Sequence, residues 1–114
     1  MKKIEYRENK IWLGEVEVLF TEKIEQIKVD EDKVFILLDI PSKQELTYDD
    51  FHNVYCYSTE GIKIWQIGIR PKGDKAVYTM INSDDSFLYA NDFFGRRYYV
   101  DKNTGNIKGM EITK

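Results

Sequence analysis

Cysteine, proline, histidine and long apolar runs are all scarce in this sequence, and each scarcity removes a class of protein. The single cysteine, Cys56, cannot form an internal disulfide, so an apolar core must hold the chain together, as suits a reducing compartment. Two prolines and seven glycines in 114 residues leave no disordered linker or low-complexity segment. No apolar run approaches the ~20 residues of a membrane-spanning helix, and the charged opening MKKIEYRENK lacks the apolar stretch of a signal peptide. No membrane association is expected, and a cytoplasmic location is. An excess of positive charge is missing too. With 17 basic and 20 acidic residues and a net charge of −3, the chain has no concentrated positive field for phosphate, so nucleic acid is not the expected partner.

What is present is alternation. Asn53 to Ile69, NVYCYSTEGIKIWQIGI, sets two runs rich in aromatic and β-branched residues around a Ser58-Thr59-Glu60-Gly61 turn. The two-residue period and the turn glycine predict a β-hairpin. Val34 to Ile40, VFILLDI, is the most continuously apolar run and predicts a central strand covered on both faces. Short alternating runs at Lys2 to Arg7 and Lys10 to Leu13 predict a first hairpin around Glu8-Asn9. Glu15 to Phe20 alternates as a strand, yet Val16, Leu19, Phe20, Ile24 and Ile27 also fall at helical spacing, so residues 15–28 remain strand or helix, with strand favoured. After a basic turn at 70–75 come Ala76 to Ile81, Ser86 to Ala90, Arg96 to Asp101 and Asn106 to Thr113, separated by turn residues. Strands at this even spacing predict a single all-β domain over 1–114, an antiparallel meander of about eight to ten strands.

The hairpins repeat. Gly61 and Gly105 stand 44 residues apart, and at that offset Tyr55 meets Tyr99, Cys56 meets Val100 and Lys63 meets Ile107. Two four-stranded units, 23–69 and 76–113, follow, packed as a sandwich or flattened barrel. Tyr55-Cys56-Tyr57, Glu60-Gly61 and Trp65, then Tyr99-Val100-Asp101 and Thr104-Gly105, resemble the blade motif of quinoprotein-type and WD-type β-propellers. Two units cannot close a ring of four or more blades, so the resemblance implies either an oligomer or the sandwich, and the sandwich is preferred. The order Trp12, VFILLDIP, NVYCYSTEGIKIWQI, Leu88-Tyr89-Ala90 and YYVDKNTGNI is also similar to a group of uncharacterised small bacterial proteins. Some proteins of this kind look like immunity partners of bacterial toxins, which implies a protein partner and no catalytic residues.

Several constellations invite a chemical reading. Asp101, Asn103 and Gly105 have the opening spacing of a calcium loop, but the bidentate acid twelve positions on is replaced by Ile112. Asp, Asn and Gly are equally the residues of a hairpin turn, and the turn is expected. His52 with Tyr48, Asp49 and Asp50 could act as a base or a metal ligand. It has no nucleophile or third ligand beside it, so solvated loop residues are expected instead. Cys56 sits in mid-strand without the basic neighbour that lowers a thiol pKa, and is expected in the core. Trp12 and Trp65 are assigned to the core or its rim. No metal, cofactor or enzymatic activity is expected.

Two surfaces stand out for binding. Aromatic residues around Phe93 to Tyr99 next to arginines, above all Phe94, Arg96, Arg97 and Tyr98, form a candidate stacking platform; alternation sends only one of Tyr98 and Tyr99 inward. The eleven-residue connection Ser42 to His52 is long for a compact β domain, and connections of that kind carry function more often than ordinary turns do. Its Tyr48, Asp49, Asp50 and His52, together with Asp84, Asp85 and the run Asp30 to Asp32, could join into an acidic patch that steers a basic partner such as a toxin. A small protein-binding domain, with toxin immunity as its concrete form, is therefore the expected function. A propeller-like oligomer that binds a ligand, or an enzyme of unrecognised type, is the alternative.

Overall fold

Three antiparallel sheets lie one upon another. The structure, a computed structural model, describes residues 4–73 and 76–112. Among the described residues there are eleven strands and one short helix. The first sheet holds β1 (Glu5–Arg7), β2 (Lys10–Leu13) and β3 (Val16–Leu19). The middle sheet is a meander of β4 (Lys23–Asp30), β5 (Lys33–Asp39), β6 (Val54–Ser58) and β7 (Lys63–Gln66). The last is a meander of β8 (Tyr78–Ser83), β9 (Leu88–Asp92), β10 (Arg96–Val100) and β11 (Ile107–Ile112). The all-β antiparallel class and both four-stranded units are thus present, and residues 15–28 are strand. No sheet closes on itself, so of the two packings it is the layered one that forms. Lys2 and Lys3 of the expected first hairpin, residues 74–75 of the basic turn and Thr113 lie outside the described residues.

The alternation of β5 explains the stacking. Val34, Ile36 and Leu38 point to the first sheet, where they join Ile11 and Leu13 of β2 together with Ile24 of β4. Phe35 and Leu37 point the other way, into a core completed by Val54, Cys56, Trp65 and Ile67 from the middle sheet and Tyr78, Ile81, Leu88, Ala90, Tyr98 and Val100 from the last. The residues of both sets on β5 are almost wholly buried, and burying each such side chain contributes roughly 1.5 to 3 kcal/mol. Trp12, on the face of β2 opposite Ile11 and Leu13, is half-buried, which places it at the rim.

Connections follow turn chemistry. Glu8-Asn9 and Glu31-Asp32 are two-residue hairpin loops, with Glu8 and Glu31 both at φ 55°, the left-handed conformation such loops require. Gly61 at φ 92° and Gly105 at φ 78° serve the last hairpins of the middle and last sheets. Both also accept a side chain from the preceding sheet at very close range. A Cβ on Gly61 would lie 2.5 Å from Cβ of Val16, and one on Gly105 would lie 2.7 Å from the Trp65 ring. The Trp65 indole N–H then donates to the Lys102 carbonyl at 2.8 Å.

Gly105→Ala therefore combines a clash with an indole and strain at positive φ, and should cost about 2 to 4 kcal/mol in urea denaturation. Gly73→Ala carries the strain alone, since φ is 88° and nothing lies within 4 Å of the added methyl; about 1 kcal/mol is expected. Equal losses for the two variants would show that Trp65 does not seat on Gly105.

Candidate interaction surface at the acidic end

A meander sends alternate turns to opposite ends of its sheet, and that sorts the candidate residues. At one end, the β4–β5, β8–β9 and β10–β11 turns surround an open cleft of about 460 Å³ lined by Asp30, Glu31, Lys33, Asp85, Asp101 and Lys102, among others. Lys102 holds the three turns together: its Nζ donates to Asp30 Oδ2 at 2.5 Å and also to the Asp84 carbonyl. Asp84 is committed to its own turn. Its Oδ1 accepts from the backbone N–H groups of Ser86 at 2.8 Å and Phe87 at 2.9 Å, and its Oδ2 accepts from the Tyr89 hydroxyl. The Tyr89 hydroxyl first, and then the Phe87 and Ser86 amides, hold the Asp84 carboxyl below its ordinary range. Glu31, Asp32 and Asp85 face solvent.

The expected acidic patch is thus realised in part. Asp30, Glu31 and Asp85 line one cleft, and Asp101 joins them. Tyr48, Asp49, Asp50 and His52 do not, because β5 and β6 carry them to the opposite end. Nor is their segment the solvated loop expected. Thr47 caps a one-turn helix, α1 (Tyr48–Phe51), in which Asp50 N donates to Thr47 Oγ1 at 3.2 Å and Thr47 N to Asp50 Oδ2 at 2.9 Å. This is a capping box, legible in advance from Thr47 and an acid three residues later. Asp50 is buried, and His52, at 1% exposure, is among the most enclosed residues of the chain. The His52 Nδ1 lies 2.8 Å from the Ile67 carbonyl, which can only accept, so Nδ1 donates. Tyr48 stacks on the imidazole at 3.9 Å. Only Tyr48 and Asp49 of this group reach solvent.

The aromatic platform also divides. Tyr98 points inward and is 4% exposed, so of the pair it is Tyr99 that lies on the outer face of the last sheet, with Tyr89 at 5.3 Å and Phe87 at 5.8 Å. Arg97 shares that face, over the Tyr89 ring and 3.4 Å from Glu111. Arg96 is tied to buried Asp92 at 2.7 Å, while Phe93 and Phe94 protrude at the β9–β10 turn. Asp101 serves its turn: its Oδ1 accepts from Asn103 N at 2.8 Å and Thr104 N at 3.3 Å. One residue had no signal in the sequence. Arg70 is buried with its guanidinium 4.0 Å from the Tyr78 ring centre, and its Nε donates to the Tyr78 hydroxyl at 2.8 Å.

These features define a layered all-β protein with one acidic, turn-built end. The chain belongs to a family described as a domain of unknown function, DUF7957, whose model matches residues 1–112. No match is found among the curated proteins.

Two measurements test this geometry. Burial opposes ionisation of Asp50, but the Thr47 amide, the Lys43 ammonium and the Thr47 hydroxyl outweigh it and hold the carboxyl below 3.8. A depressed carboxyl contributes stability that is full above its unfolded pKa and lost as pH falls through the folded one. Asp50→Asn should therefore lower the melting temperature at pH 7, with the gap to wild type closing as pH falls below 3.8; a constant gap would show that the charge is not involved. Burial likewise pushes the Cys56 thiol up to about 12, so thiol reagents at pH 8 should label the native chain only as fast as it unfolds. Rapid labelling would place Cys56 outside the core.

Proposed function

We propose that this chain is a small protein-binding domain that engages a basic protein partner through its acidic end, and that neutralisation of a bacterial toxin is the concrete form of that role. One observation carries the reading. Three turns from two sheets converge so that Asp30, Glu31, Asp85 and Asp101 rim a single cleft, while one of its lysines, Lys102, is consumed in binding the turns to each other. Carboxylates grouped on a rigid frame raise the encounter rate with a positively charged partner and orient it. The resemblance is to a group of uncharacterised small bacterial proteins, and because some proteins of that kind look like immunity partners of toxins, a toxin is the partner we propose. A second reading, a blade-like repeat of propeller type, is favoured by the twofold use of one device: Val16 seats on Gly61 as Trp65 seats on Gly105.

The test compares wild type with a Glu31→Lys, Asp85→Lys double variant, each used as bait in lysate of the source organism at low and high salt. A basic protein held near stoichiometrically by wild type, released by salt and absent from the variant is the expected result. Identical retention by both baits would sink the acidic-end reading.

A further inference from the structure

The outer face of the first sheet carries a charge pattern that the fold itself does not balance. Arg7 and Lys10, on either side of the β1–β2 loop, stand directly opposite each other, and both are exposed. Like charges facing across a ladder oppose its pairing. Among the described residues neither side chain meets a carboxylate within ion-pair distance. Trp12 lies two residues beyond Lys10 on the same face of β2, half-buried. A cleft of about 360 Å³ is lined by Arg7, Glu8, Asn9, Lys10 and Trp12. Its loop wall is held in place by the chain that follows the sheet: the Glu8 carbonyl accepts from Ile24 N–H at 2.7 Å, the Asn9 carbonyl accepts from Phe20 N–H at 2.9 Å, and Asn9 Nδ2 donates to the Phe20 carbonyl at 2.8 Å.

The chemistry of this lining selects its occupant. Paired cations call for an anion that can meet both at once, and a phosphate monoester does so with close to two negative charges and three acceptor oxygens. The guanidinium offers it a bidentate contact and the ammonium a point charge. An indole face takes the flat ring of a nucleobase by stacking. The cleft is larger than phosphate alone would fill and falls within the range of small-molecule sites. Glu8, the one acid of the lining, can accept from hydroxyls and repels any further phosphate. We propose that this cleft binds a nucleoside monophosphate, with the base on Trp12, the phosphate between Arg7 and Lys10, and the ribose hydroxyls toward Glu8. Binding replaces a repulsion across the ladder with two attractions. A single nucleotide needs only this local pair of cations, so the site is compatible with a net charge of −3 that disfavours nucleic acid. It belongs to the first sheet, whereas the acidic cleft is built by turns of the other two, so it stands independently of the proposed partner.

The two tryptophans of the chain supply an internal control. Trp65 is buried, with its indole N–H bonded to the Lys102 carbonyl at 2.8 Å, whereas Trp12 lines the cleft. In NMR titration at low salt, adenosine monophosphate should shift the Trp12 indole N–H resonance saturably, with a Kd of about 0.1 to 1 mM, and leave that of Trp65 in place. Adenosine and ribose 5-phosphate each lack one half of the contact and should bind at least about tenfold more weakly. Arg7→Gln and Lys10→Gln should each weaken the nucleotide about tenfold. Each also removes the repulsion across the ladder, so the melting temperature should not fall and the lost affinity is not lost fold. A Trp12 resonance unmoved by the nucleotide up to ~10 mM, adenosine or ribose 5-phosphate that binds as tightly, or an affinity unchanged in both glutamine variants would each overturn the proposal.

Discussion

The carboxamide of Asn53 is the interaction on which the arrangement of the sheets depends. It is fully buried. Its Nδ2 donates to the Leu38 carbonyl at 2.8 Å and to the Tyr78 carbonyl at 2.9 Å, and its Oδ1 accepts from the Tyr78 amide at 3.0 Å. One side chain thereby joins β5 to the first strand of the last sheet. Gln26 repeats the device: it donates to the Ile81 carbonyl and accepts from the Ile81 amide, both at 2.9 Å. β8 is an edge strand packed against the core, and its outward backbone groups would cost roughly 1 to 3 kcal/mol each if buried without partners. Because two amides from the middle sheet satisfy them, β8 has no need of a strand neighbour. This is the physical reason that β4 and β8 lie side by side without pairing, and that two sheets stack in place of one long sheet or a closed barrel.

Stacking by amide and indole has consequences at the ends of the molecule. Trp65 reaches from the middle sheet to the Lys102 carbonyl and the face of Gly105, which brings the β10–β11 turn beside the β4–β5 turn. Lys102 can then span to Asp30. The acidic cleft is therefore a product of sheet packing rather than of any one loop. The opposite end is built differently. There the capping box of α1, the stacked Tyr48 and His52, and the buried Arg70 make a polar but enclosed structure. Polar residues that look available in a linear sequence are spent on holding the long β5–β6 connection against the sheets.

The strands were legible because their apolar residues recur with period two, and VFILLD in particular could be buried on both faces only at the centre of a layered stack. The turn glycines were legible for the same local reason. Three things were not. The phase of β10 decides between Tyr98 and Tyr99, and local sequence does not fix it; pairing of Tyr98 with Ala90 on the inner row does. His52 reads as a loop residue because nothing near it in sequence shows the Ile67 carbonyl that it meets across β6 and β7. The acidic pairs read as equivalent, although parity of the meander puts Asp49-Asp50 at one end and Asp84-Asp85 at the other. Each failure concerns a contact between residues distant in sequence, where periodicity carries no information. Thr47 and Asp50 are the exception, a local signal masked by the surrounding polar residues.

Charge and turn geometry are carried by the same atoms at the acidic end, which bears on how such a surface can vary. Asp84 Oδ1 and Asp101 Oδ1 each accept two backbone N–H groups of their own turn. An asparagine oxygen can accept the same bonds and is as well suited to such turns. Ionisation is therefore not required for the turn; it is required only for the field that the turn projects. Glu31 at φ 55° is a still clearer case, because glutamate gains nothing locally from the left-handed conformation that asparagine or glycine tolerates better. A turn chosen for stability alone would replace it. The charge of Glu31 thus comes with local strain, at the rim of a cleft that other carboxylates share.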